Sequence, residues 1–340
     1  MSIPVAGPLD VVGVVVVTYS PGDTLRGLLA SIPAASSRPV AVVLADNGST
    51  DGSVEEAVDR QAARDGRSGQ AGREGRAGRE GRAGISTLVL LRTGGNLGYG
   101  AAANAGVQAL DAGIEWVMVV NPDLVLAPGS IDALLEAAGR HPDGGAFGPL
   151  LTDADGLVYP SARQLPSVGA GIGHAVFGWW WPKNPWTRSY RQDAAEPTER
   201  VAGWLSGSCL LLRRKAFAGV DGFDPEFFMY FEDVDLGDRL ARSGWSSIYC
   251  PTARAVHLGG RSTEREPAAM AEAHHRSAYR YLAKRYPSPW QAPLRWVLRA
   301  GLTVRSFLSK RSAKVAAGAS IPDRRVDGTG QSTNSGTPLG

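Results

Sequence analysis

Cysteine is almost missing from this chain of 340 residues: only Cys209 and Cys250 occur, at a spacing that suits neither a zinc site nor a disulfide framework. That scarcity favours a reducing compartment over a secreted fate. No stretch comes near the ~18 uninterrupted apolar residues that a membrane-spanning helix needs. The N-terminus, with Pro4, Pro8 and Asp10 ahead of the first apolar run, lacks the basic-then-apolar layout of a signal peptide. An excess of one charge is missing too. Lys and Arg number 36 against 33 Asp and Glu, a net charge of +3, without the concentrated basic stripe expected of a nucleic-acid binder. These absences leave a protein expected in the cytosol or on a membrane surface, with length for one large domain or two small ones.

What is present begins with valine. Val11 to Thr18 is too short and too uniformly apolar for an amphipathic helix and reads as a strand buried on both faces. Leu25, Leu28, Leu29 and Ile32 then share one face of a helix over Gly22 to Ile32. A second strand, Val40 to Leu44, is followed by a helix starting near Ser53. This β-α-β-α succession predicts an α/β fold with a mostly parallel sheet and covering helices. From about 60 to 84 the composition turns to Gly, Arg, Ala and Glu, with almost nothing to bury, which predicts a disordered surface insertion. Further elements are a strand over Ser86 to Leu91, a helix over Ala101 to Leu110, a strand over Trp116 to Val120 and a helix over Ser130 to Gly139. A strand over Cys209 to Arg213, a helix reaching Ser243 and a helical stretch over Ala268 to Tyr286 complete the list. The Trp- and Pro-rich loops around Trp179 to Pro182 and Asn184 to Trp186 read as a substrate-facing extension. Leu294, Trp296, Val297, Leu298 and Phe307 among Arg295, Arg299, Arg305 and Lys310 suit a helix lying in the headgroup region of an anionic leaflet, or one docked on the core.

Four segments carry candidate chemistry. Asn121-Pro122-Asp123 follows a buried strand, and Pro122 cannot donate to a sheet ladder, so Asp123 falls at the carboxyl edge where open α/β sheets bind ligands. It is either a turn residue or a carboxylate holding a divalent cation against phosphate. Asp46 opens a Gly-rich loop and is either a cap or a hydrogen-bond acceptor for a nucleoside. Glu232, Asp233 and Asp235 crowd three carboxylates into four positions. They form either an acidic first helical turn or a general-base cluster with a raised pKa. His257 is a metal ligand or a structural histidine. The glycines of Gly95 to Gly100 run in the wrong order, after the wrong strand, for a dinucleotide fingerprint.

In combination these segments resemble the inverting GT-A glycosyltransferases of family 2. Val14 to Tyr19 is similar to the family's first strand and Asp46 to Ser53 to its nucleoside loop. Asn96 to Gly100 with Asn104 is similar to its donor-contact segment. Asn121-Pro122-Asp123 stands at the D-x-D position, with Asn121 in place of the first carboxylate, and Glu232 to Asp235 stands at the catalytic-base motif. Longer strings, among them Tyr159 to Gln164, Trp181 to Trp186, Gly203 to Cys209 and Ala292 to Trp296, resemble the actinobacterial branch that transfers L-rhamnose to lipid-linked N-acetylglucosamine (GlcNAc). The resemblance implies a GT-A domain over 1–290, a basic amphipathic membrane-surface helix over 291–315 and a disordered tail over 316–340. It implies transfer from dTDP-L-rhamnose to the 3-hydroxyl of GlcNAc-diphospho-decaprenol in arabinogalactan linker synthesis, at the cytoplasmic face of the plasma membrane.

By that resemblance Asp233 is the base with Asp235 as second candidate, and Asp123 and His257 hold Mg²⁺ or Mn²⁺. Thr18, Tyr19, Asp46, Asn47, Asn96, Gly98, Tyr99, Gly100, Asn104, Asn121 and Asp123 face the donor. Arg163, Trp204, Ser206 and Glu232 face the acceptor. A family 2 enzyme with another nucleotide sugar or polysaccharide acceptor is the alternative, and a non-catalytic nucleotide-sugar-binding protein a further one.

Overall fold

A computed structural model describes residues 11–64, 84–166, 197–259 and 267–293, together with 295, 296 and 299. The chain opens with β1 (Val12–Thr18), α1 (Thr24–Ala35), β2 (Pro39–Asp46), α2 (Ser53–Arg64), β3 (Gly84–Arg92), α3 (Tyr99–Ala109) and β4 (Trp116–Val120). After β5 (Leu124–Leu126), α4 (Ser130–Arg140) and β6 (Gly144–Thr152) come the short strands β7 (Val158–Tyr159), β8 (Ala162–Arg163), β9 (Arg200–Ala202) and β10 (Trp204–Leu205). The chain continues with β11 (Cys209–Arg213), α5 (Arg214–Ala218), α6 (Glu232–Arg242), β12 (Ser246–His257) and α7 (Pro267–Arg285).

The main sheet runs β3-β2-β1-β4-β11-β6-β12-β5. Its first four strands are parallel, β11 enters antiparallel between β4 and β6, and β12 returns parallel to β6. All seven residues of β1 are buried, because alternate side chains feed two cores. Val12, Val14 and Val16 meet Leu25, Leu28 and Ile32 of α1 and Ile131 and Leu134 of α4. Val15 and Val17 meet Ala102, Ala103 and Val107 of α3 and Leu236 and Leu240 of α6. Each fully buried Leu or Ile contributes about 1.5–3 kcal/mol, so this two-sided core fixes the sheet edge rigidly. The small residues of α3 have a packing reason. A Cβ at Gly106 would lie 2.3 Å from Val15 Cγ1, so the helix sits directly on β1.

Several boundaries depart from the sequence expectations. Helix α2 continues to Arg64 and β3 begins at Gly84, so the insertion predicted from 60 is narrower; 65–83 lie outside the described residues. The Trp/Pro-rich loops around 179–186, most of the predicted surface helix and the tail lie outside them as well. Helix α6 starts at Glu232, which places all three carboxylates in its first turn. The acidic-turn and base-cluster readings are therefore compatible. Strand β6 lacks a periodic signal because it opens on Gly144-Gly145 and contains Pro149. Strand β12 hides behind Pro251, accommodated at a register shift between Cys250 and Arg254, where a missing donor is tolerated. Among the described residues no helix is long and apolar enough to cross a membrane.

Candidate active site

Strands β1, β2 and β4 end together, since Thr18 pairs with Asp46 and Val16 with Val120. Over that edge lies a cleft of about 540 Å³, lined among others by Thr18, Tyr19, Asn47, Asn121, Asp123 and His257, and further by Arg163, Trp204, Ser206, Glu232 and Asp233. Asn96 and Tyr99 also line it.

The loop after β2 is organised by Asp46, which is 1 % exposed. Its carboxylate accepts from Thr18 Oγ1 at 3.0 Å, Ser49 N at 3.1 Å, Ser49 Oγ at 2.5 Å and Arg92 Nη1 at 3.0 Å. Charge-assisted bonds from the protein occupy its oxygens, and it does not line the cleft. Of the adjacent pair, Asn47 is the residue that lines the cleft. Asn47 Nδ2 donates to Gly98 O at 3.1 Å, and its Oδ1 accepts from Thr93 Oγ1 at 3.0 Å, tying the β2 and β3 loops together.

Gly98 and Gly100 were expected to let backbone approach the donor; the structure gives them a different reason. At Gly98, φ is +87° and a Cβ would fall 2.2 Å from Phe228 O. At Gly100 a Cβ would fall 2.8 Å from Phe223 Cβ. Neither lines the cleft, and both let the loop before α6 press onto α3. Asn104 serves the same packing, since its Nδ2 donates to Phe223 O at 2.7 Å and its Oδ1 accepts from Phe223 N at 2.9 Å. It is not among the residues lining the cleft.

Tyr99 lines the cleft but works on the acidic segment. Its hydroxyl donates to Gly207 O at 2.6 Å, and Gly207 N donates to Asp233 Oδ2 at 2.9 Å. Val234 N donates to Asp233 Oδ1 at 2.8 Å. Burial pushes the Asp233 carboxyl up, while these amides and the Arg163 guanidinium pull it down. Removing the Tyr99 hydroxyl frees Gly207, weakens one bond that favours the carboxylate, and so keeps Asp233 protonated to a higher pH. Tyr99→Phe is expected to move the acid limb of the kcat/KM profile up by about half to one pH unit. An unchanged limb would show that the hydroxyl only packs.

Asp235 belongs elsewhere. It is buried and paired with Arg239 Nε at 2.6 Å and Lys284 Nζ at 2.5 Å, which ties α6 to α7, and it does not line the cleft. The second base candidate is thus held in ion pairs on another face of α6, since residues two apart on a helix point in divergent directions.

On the sheet side, β12 pairs with β5 so that His257 stands opposite Leu124, next to Asp123. His257 Nε2 lies 3.2 Å from Asp123 Oδ1, within ion-pair range, while Oδ1 is buried without a hydrogen bond among the described residues. One carboxylate oxygen and one imidazole nitrogen converging on a cleft fit Mg²⁺ or Mn²⁺, provided a ligand's phosphate oxygens and water fill the remaining positions. Among the described residues no group of three or more His, Cys, Asp or Glu gathers, in keeping with Asn121 in place of a carboxylate.

The remaining wall is aromatic. The Arg163 guanidinium lies 5.6 Å from the Trp204 ring centroid, Trp204 Nε1 donates to Gln164 O at 3.0 Å, and Ser206 Oγ stands 3.0 Å from Ser208 Oγ. Tyr159, Met229, Tyr230, Phe231 and His274 also line the cleft. Sequence reasoning missed these five. His274 comes from α7 and meets Tyr230 and Phe231 at ring-centroid distances of 5.5 and 5.3 Å, a contact without local sequence signal. Tyr230 and Phe231 both hold φ of +66°, strained for non-glycine residues and located at the turn that aims Glu232 and Asp233.

Comparison with known proteins agrees with this geometry. Residues 74–280 match the family described as "Glycosyltransferase like family 2". The chain is 52% identical over 313 residues to N-acetylglucosaminyl-diphospho-decaprenol L-rhamnosyltransferase of Mycobacterium tuberculosis, covering 89% of this chain and 94% of that protein. It is 27% identical to rhamnosyltransferase WbbL of Escherichia coli over 57% of this chain and 73% of that one. Among solved structures, the mannosyltransferase PcManGT from Pyrobaculum calidifontis, in complex with GDP-Man and Mn²⁺, aligns with a TM-score of 0.52 at 17% identity. The alignment covers 92% of this chain and 76% of that one and shows a shared fold. With the GT-A architecture, the sheet-edge cleft and the matched sequence in agreement, the chain belongs to the family 2 glycosyltransferases.

Proposed function

We propose that this enzyme transfers L-rhamnose from dTDP-L-rhamnose to the 3-hydroxyl of the GlcNAc in GlcNAc-diphospho-decaprenol, the linker step of arabinogalactan synthesis. The observation that carries the reading is one cleft holding the half-buried Asp233 carboxyl together with the Asp123–His257 pair, in a chain matched nearly end to end by a rhamnosyltransferase of that name.

Inversion requires one in-line displacement at the anomeric carbon. Asp233 accepts the proton of the attacking hydroxyl as the new glycosidic bond forms and the bond to the diphosphate breaks. Its amide donors from Gly207 and Val234 hold the carboxylate in place through the step. A divalent cation, when bound, would supply positive charge against the departing diphosphate. Asp123 and His257 are the residues to hold it, with Asn121 beside them in the lining. Thr18, Tyr19, Asn47 and Asn96 line the region assigned to the nucleotide, and Arg163, Trp204 and Ser206 the region assigned to the acceptor sugar.

A polyprenyl acceptor calls for contact with a bilayer. Trp290 and Trp296 are 78% and 69% exposed beside Arg295 and Arg299, a pairing that suits the interface of an anionic leaflet. We assign the protein to the cytoplasmic face of the plasma membrane, attached peripherally. The test is a donor panel: purified enzyme with lipid-linked GlcNAc should release dTDP from dTDP-rhamnose, with Mg²⁺ or Mn²⁺ present. Equal or faster turnover of a UDP- or GDP-sugar would overturn the donor assignment.

A further inference from the structure

Two carboxyl groups sit side by side at the start of α6, and the protein treats them differently. Asp233 receives two backbone N–H bonds and faces the positive Arg163. Glu232 is 7% exposed, lines the same cleft, and its Oε2 is buried without a hydrogen-bond partner among the described residues. Its Cβ lies against the face of α3 where Gly100 leaves no room for a side chain of its own. The titratable groups that act on it or feel it are Asp233 on α6, Tyr99 on α3 and Tyr230 on the preceding loop. Among the described residues it forms no ion pair with a cation.

We infer that the pair holds one proton at working pH and that it resides on Glu232, which donates a hydrogen bond to an uncharged oxygen of the acceptor sugar while Asp233 remains the ionised base. An ionised carboxylate only accepts, and a second one beside Asp233 would leave its buried Oε2 without a donor to stabilise the charge. A neutral carboxylic acid has one O–H to give, and the cleft is where an oxygen can receive it. Burial and the neighbouring Asp233 push the Glu232 carboxyl from 4.5 to about 8; burial raises the Asp233 carboxyl as well, but there the Gly207 and Val234 amides and the Arg163 guanidinium oppose the rise. Environments that separate two adjacent carboxyls in this way divide the roles between them. The pair titrates jointly, and the donor set decides which oxygen keeps the proton.

This inference rests on the acceptor assignment above, so the experiment has one arm with substrate and one without. With dTDP-rhamnose and the lipid-linked acceptor, Glu232→Ala should lower acceptor kcat/KM by about 10- to 100-fold, the value of a hydrogen bond in a buried site. Wild-type enzyme should show an alkaline limb near pH 8, and Glu232→Gln, a permanent donor, should recover most of the Ala loss and remove that limb. Gln as damaging as Ala, or a persisting limb, would overturn the donor role. In the second arm, ¹³C-carboxyl-labelled glutamate in wild-type protein should show one resonance titrating near pH 8 that is missing from Glu232→Gln. If every glutamate titrates below about 6, within the usual spread for the residue, the proton assignment is wrong. Absence of rhamnosyl transfer alone would overturn the functional reading and with it the acceptor contact, while the resonance would still locate the proton.

Discussion

Asp233→Asn is expected to lower kcat by about 10²- to 10⁴-fold, the range contributed by a positioned general base, while leaving dTDP-rhamnose affinity close to that of the wild type. The amide matches the carboxylate in shape and can still accept from Gly207 N through its oxygen, so the scaffold of the turn survives. What it lacks is basicity. The loss should fall on kcat and kcat/KM together, the signature of an interaction made in the transition state. Single-turnover kinetics with donor affinity measured separately would decide the matter. Normal turnover by the variant would remove Asp233 from the mechanism, and Asp235 would not replace it, because its carboxylate is committed to Arg239 and Lys284.

Asp123→Ala is the second large effect, with kcat/KM for the donor falling by about 10²-fold or more, since neutralising a departing diphosphate is worth several kcal/mol. Asp123 is the one carboxylate of the Asn121-Pro122-Asp123 turn, and His257 Nε2 at 3.2 Å is its neighbour in the pair. With so few protein ligands, Mn²⁺ should bind wild-type enzyme weakly by itself and markedly more tightly in the presence of dTDP, whose oxygens complete the shell. Titrating Mn²⁺ by its paramagnetic signal, with and without dTDP, tests this. Equal Mn²⁺ binding by wild type and Asp123→Ala would exclude Asp123 as a ligand.

Much of the fold was legible because its signals are local. An all-valine β1, a leucine face on α1 and the alternation of strands with helices follow from periodicity and burial within short windows. The elements that escaped notice, β6 and β12, are stabilised by neighbours far along the chain and contain glycine or proline where a strand signal would be sought. The site divides the same way. Residue types at Asp123, Asp233 and His257 raised the expectation of metal and base chemistry, and the structure brings all three to one cleft. The roles of Asp46, Gly98, Gly100, Asn104 and Asp235 were not legible. Each depends on a partner about 30 to 130 residues away: Thr18 and Arg92 for Asp46, Phe228 for Gly98, Phe223 for Gly100 and Asn104, and Lys284 for Asp235.

The sequence by itself determined an α/β sheet with an open carboxyl edge and the inventory of carboxylates available there, because strand burial and the chemistry of Asp, Asn and Pro act through adjacent residues. Only the tertiary structure decided what surrounds each carboxylate. Asp46 and Asp235 are engaged by donors and cations folded against them, Asp123 keeps a buried oxygen without a hydrogen bond among the described residues, and Glu232 and Asp233 are set apart by the Gly207 and Val234 amides that reach Asp233. A carboxyl's charge, and hence its function, is fixed by what surrounds it within a few ångströms, and those surroundings are assembled by folding.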